Sequence, residues 1–173
     1  MTNELTPDQI NTNPRHMAEL SDGEVGLIRA LRLWALANAE NAHFQNLILE
    51  FREQFPHEDG ITLTRVIDLF RAIAGGSERA INHHTPDCPC FTADEIAMVT
   101  LVASIQANES QLARKLSNWM VADVHVSDVL VAAGQVATAF SQNAVELPLR
   151  SSGRAVSPGV MVPAANAASR TVH

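Results

Sequence analysis

Between Ser21 and Leu147 the apolar positions recur at helical spacing, broken by short polar stretches that carry glycine or proline. Ser21 and Glu24 have the spacing of a capping box, and no proline follows until Pro56. Leu33, Ala37, Glu40, Phe44, Leu47, Phe51 and Phe55 share one stripe, with Asn38, Asn41, Gln45 and Arg52 on the opposite face. The pattern predicts one long helix over residues 24–55, with a bend conceivable at 38–41. Its first half (Leu27, Ile28, Leu31, Leu33, Trp34, Leu36) is apolar almost all round, so contact on more than one side is expected.

Pro56 to Gly60 reads as a turn. A second helix is expected from Arg65 to about Ala74, capped by Thr62 or Thr64 and stopped by Gly75 and Gly76. Residues 77–91 form a loop. Thr92 and Glu95 then supply another capping box, opening a strongly apolar helix over about residues 93–107. Leu112, Leu116, Trp119 and Met120 mark a fourth helix. Val129, Leu130, Ala133, Val136, Ala137 and Phe140 mark a fifth, with Ser127 as its cap. The expected fold is all-α: about five helices, the long N-terminal one packed on a small helical bundle. The helical domain spans 21–147, between a flexible arm at 1–20 and a flexible tail at 148–173 whose composition shifts to Ser, Gly, Pro and Ala. The one short β-like run lies at residues 159–162.

Composition adds little to that outline. A net charge of −7 argues against nucleic acid or an anionic membrane as a partner. No run approaches the ~18–20 apolar residues of a spanning helix. The first residues are polar and acidic, without the basic and apolar regions of a signal peptide, so a cytoplasmic location is expected.

The chemistry concentrates in the 77–91 loop. Both cysteines of the chain, Cys88 and Cys90, lie there, with His83 and His84 just upstream. Thiolate and imidazole are the ligands zinc prefers, and Pro86 and Pro89 stiffen the segment that carries them. His84, Cys88 and Cys90 are the expected metal ligands, with His83 less well placed because adjacent histidines seldom reach one ion. Asp87, Glu95, another helix or water would complete the shell. The segment His84-x3-Cys88-x-Cys90 resembles the His-x3-Cys-x2-Cys segment of zinc-containing anti-sigma factors, one residue shorter between the cysteines, over fewer than ten residues. The same pair also suits redox chemistry, since two thiols this close form a reducible disulfide.

Two other patterns compete less well. Glu40-Asn-Ala-His43 has the Glu-x-x-His spacing of ferritin-like di-iron proteins, but it occurs once where that architecture uses it twice. Glu40 falls on the apolar stripe and is expected to be buried and paired. Residues 111–119 look superficially like one helix of a helix-turn-helix, without a second basic helix. The reading that follows is a small regulatory or adaptor protein, pinned by a zinc-type site, leaning away from an enzyme. A redox- or metal-responsive sensor, DNA-associated or not, is the alternative, and a di-iron oxidase the third. A protein partner or a second copy is expected to cover residues 25–37.

Overall fold

The computed structural model describes residues 16–40, 44–56 and 60–149, leaving out the side chain of Glu40. Within them the protein is all-α, with six helices: α1 (Asp22–Glu40), α2 (Phe44–Gln54), α3 (Ile61–Gly76), α4 (Ala93–Gln106), α5 (Ser110–Met120) and α6 (Val126–Gln142). Short 3-10 turns at Met17–Glu19 and Asp123–His125 precede α1 and α6.

The expected rod over residues 24–55 is a hairpin. Its two halves, α1 and α2, fold back on each other, and the C-terminal end of α2 returns to the start of α1. Gly26 makes that return tight. A Cβ there would lie 2.5 Å from the Gln54 side chain and 2.6 Å from the Phe55 ring. The stripe itself survives in two pieces: Leu33, Ala37, Leu47, Phe51 and Phe55 are buried, whereas Phe44, next to the break, is exposed. The Phe55 ring meets Phe51 and Phe140 at centroid separations of 4.6 and 5.2 Å, joining the hairpin to α6.

This arrangement covers both apolar sectors of α1 within one chain. Leu27, Ile28, Leu31 and Leu33 are all buried, with α2, α3 and α4 packed around them. The surface that residues 25–37 were expected to offer a partner is thus largely occupied by the chain's own helices.

α4 is the central helix, in contact with α1, α5 and α6 and buried on almost every side. α3 packs most extensively on α6, where Val129, Ala133, Val136 and Phe140 face inward. Residues 123–142 are long and apolar enough, by length and composition alone, to cross a membrane, contrary to the expectation that no run approaches this. Their apolar positions are used here inside the bundle.

Several local expectations need correction. α3 starts at Ile61 behind Gly60, which takes a φ of 80°, and neither Thr62 nor Thr64 caps it. Thr62 is buried and accepts a hydrogen bond from Asn143 instead. Gly76 is helical; its lack of a side chain lets the 122–125 segment approach, since a Cβ would sit 2.7 Å from that of His125. α5 turns Ala113, Ser117 and Met120 inward and leaves Trp119 at the surface. Ser127 lies inside α6, not at its cap. Residues 16–20, placed in the flexible arm, hold an antiparallel bridge between His16 and Cys90, with Met17 N–H donating to the Pro89 carbonyl at 2.8 Å.

Candidate metal centre

The loop from α3 to α4 is fixed from below by a buried charge. Arg32 projects from the middle of α1 with its side chain fully buried, and its guanidinium has five N–H donors. All five are used. Nε donates to Glu95 Oε1 at 2.7 Å and Nη2 to Glu95 Oε2 at 3.0 Å, a two-pronged pair. The other donors go to backbone carbonyls of the loop: Thr85 at 3.2 Å, Cys88 at 2.7 Å and Cys90 at 2.5 Å. Three carbonyls therefore turn inward around one cation.

Glu95 is equally committed. The capping box read from the sequence is present: Thr92 Oγ1 accepts the Glu95 N–H, and Glu95 Oε2 accepts the Thr92 N–H at 2.8 Å. Glu95 Oε1 also accepts the backbone N–H of His84 at 3.1 Å. Burial pushes the Glu95 carboxyl up, but hydrogen bonds from Arg32, Thr92 and His84 outweigh it and hold the group below the usual carboxylate range. Its oxygens are taken, so Glu95 is not the fourth ligand.

A second ion pair fixes the upstream half of the loop. Arg79 makes two hydrogen bonds to Asp94, at 2.7 and 2.6 Å, and its guanidinium lies 4.9 Å from the Trp119 ring centroid. Asn82 N–H donates to Asp94 Oδ2 at 2.7 Å, while Thr92 Oγ1 donates to the Asn82 carbonyl. The second and third residues of α4, Asp94 and Glu95, thus anchor both halves of the loop.

With the carbonyls of Cys88 and Cys90 turned toward Arg32, their side chains stand together. The hydrogen bond from Cys88 N–H to the Thr85 carbonyl closes a turn that brings His84 back to them. The ligand atoms of His84, Cys88 and Cys90 all lie within 4.8 Å of one another. All three residues are half-buried, and both cysteines are free thiols. Two thiols and an imidazole gathered on a braced loop are a donor set that fits a zinc-type ion.

No family model, curated protein or solved structure matches the chain. The functional reading therefore rests on the geometry alone.

The two thiols are not equivalent. The Cys90 thiol and amide both donate toward the Cys88 sulfur, which lowers the Cys88 pKa. Cys90, as the donor, is pushed up. Cys88 is the thiol that ionises first.

His83, the remaining candidate, is outside the group. It is exposed, its Nδ1 lies 3.2 Å from the His84 carbonyl oxygen, and it borders a separate apolar cleft of about 330 Å³. That cleft is floored by Leu31, Phe70 and Met98. His43 and the Glu40 side chain lie outside the described residues. The residue that sequence reasoning passed over is Arg32. A signal was there: a charge set directly between Leu31, Leu33 and Trp34, in a stretch apolar on nearly every side.

Proposed function

We propose that this is a small regulatory or adaptor protein in which a zinc-type ion, held by His84, Cys88 and Cys90, pins the α3–α4 loop of a helical interaction domain. The observation that carries the reading is the convergence of the three donors on a loop whose backbone is already fixed by the Arg32–Glu95 pair. A preformed backbone lowers the ordering cost of binding. A cytoplasmic setting and a protein partner belong to the same proposal.

Metal analysis after purification without chelator or added metal is the direct test. Zinc near one per chain is the expected result. Cys88→Ser is expected to lose the metal and melt at lower temperature than the parent, because ligand binding and folding are coupled. A parent without metal that melts like the variant overturns the reading.

The half-buried, adjacent free thiols favour a second reading, in which Cys88 and Cys90 act as a redox pair. Loss of two electrons and two protons to a peroxide-type oxidant would join the sulfurs and withdraw both from a metal. A metal-free protein whose disulfide forms and reduces reversibly supports this second reading over the first. The di-iron alternative draws no support from the described residues.

A further inference from the structure

We propose that His16 is the fourth ligand, closing a Cys2His2 shell for a zinc-class divalent cation and tying the segment before α1 to the α3–α4 loop. The proposal rests on the metal reading above and adds a residue that its spacing in sequence hides. Sixty-eight positions separate His16 from His84.

Three protein donors leave a tetrahedral ion one position short. The nearby alternatives are weak. Glu95 spends its oxygens on Arg32 and on the amides of Thr92 and His84. His83 faces the neighbouring cleft. Asp87 lines a different cavity, with Gly26, Arg29 and Glu50. His16 differs from all of these because the backbone aims it.

It sits opposite Cys90 in an antiparallel bridge, secured by the hydrogen bond from Met17 N–H to the Pro89 carbonyl. Residues directly opposite in such a bridge project side chains to the same face, with Cβ atoms about 4.5–5.5 Å apart. Cys88 joins that face, its sulfur lying within 4.8 Å of the Cys90 sulfur. His16, Cys88 and Cys90 therefore emerge side by side.

The His16 imidazole is exposed and makes no hydrogen bond among the described residues, so nothing there holds it away. It stands outside the 4.8 Å group, and joining it requires a side-chain rotation while the bridge keeps the backbone in place. The ion would then link the entry to α1 with the loop that Arg32 of α1 already clasps.

Cobalt(II) is the probe, since its d–d absorption reports coordination geometry and its thiolate charge-transfer band reports the cysteines separately. Titration of the full chain is expected to give a single tetrahedral site. His16→Ala should keep the charge-transfer band, lose the tetrahedral d–d intensity, and bind more weakly by more than the roughly 10–100-fold that outer-shell changes cost. His16→Cys should restore the tetrahedral spectrum with a stronger charge-transfer band, while His83→Ala and Asp87→Asn behave like the parent. A His16→Ala protein that titrates like the parent overturns the proposal but leaves the three-ligand site standing. So does Asp87→Asn if it alone removes the tetrahedral signal. A parent that binds no cobalt overturns both. Because His16 is exposed, circular dichroism of each variant is expected to match the parent.

Discussion

At the scale of single residues, Arg32 decides the most. A buried guanidinium is tolerated only when its charge and all its donors are met, and here one carboxylate and three carbonyls meet them. Truncation to alanine leaves Glu95 buried without its cation and three carbonyls without a donor. Arg32→Ala should therefore lower unfolding free energy by about 3–5 kcal/mol, read from a shifted urea midpoint at unchanged slope. Arg32→Lys should recover only part of this, because an ammonium has three donors where five are used. A loss in Arg32→Ala below about 1 kcal/mol would mean that the clasp is not what orders the loop. Asp94 gives a pH-dependent counterpart. Burial opposes its charge, yet the Arg79 guanidinium and the Asn82 amide hold its carboxyl below the usual range. A lowered folded value means that its stabilising contribution is complete above the unfolded pKa and disappears as pH falls through the folded one. Asp94→Asn should therefore be less stable than the parent at neutral pH, with the gap closing on acidification. A gap that stays constant with pH would show that the Asp94 charge plays no part.

Between residues and the whole, the helices were legible wherever period and cap agreed. Both capping boxes form as their spacing predicts, at Ser21–Glu24 and Thr92–Glu95. The apolar run after Thr92 became the central helix. Where glycine was the signal, sequence alone could not separate two uses of it. Gly75 and Gly76 were read as a left-handed stop, but the helix runs through both, and Gly76 is there for close approach. The distinction has a test with opposite signs. Gly76→Ala would press a Cβ against those of His125 and Val121, at 2.7 and 3.2 Å, and should cost about 1–3 kcal/mol. Gly134, in α6, has nothing within 4 Å of its added Cβ, so Gly134→Ala should stabilise by about 0.5–1 kcal/mol. Thermal melts of the two variants check both; equal shifts would remove the packing argument for Gly76. The metal-type loop shows the same limit. His84, Cys88 and Cys90 were visible as a cluster in sequence, but the Arg32 that shapes their backbone comes from another helix, and no spacing rule links them.

For the molecule as a whole, the largest departure from the sequence pattern is that one unbroken stripe serves two helices, α1 and α2. A continuous stripe over residues 24–55 is equally the signature of two shorter helices whose apolar faces meet the same core. No proline or glycine marks the break between α1 and α2. The consequence reaches the question of partners, because a rod would have left one apolar sector of residues 25–37 uncovered. In the hairpin, Leu31 is 5% exposed inside the chain's own core. The two arrangements differ in what Leu31→Glu does. At an interface between copies, the charge would separate folded subunits: light scattering would show a smaller mass while circular dichroism stayed helical. In a core, a lone carboxylate must be desolvated without a partner, which drives the chain toward unfolding. The expected outcome is therefore lost helicity and a lower denaturation midpoint, with no folded species of reduced mass. A well-folded Leu31→Glu protein at half the parent's mass would instead place an intermolecular contact on α1, and would require the hairpin to open where α2 now covers it.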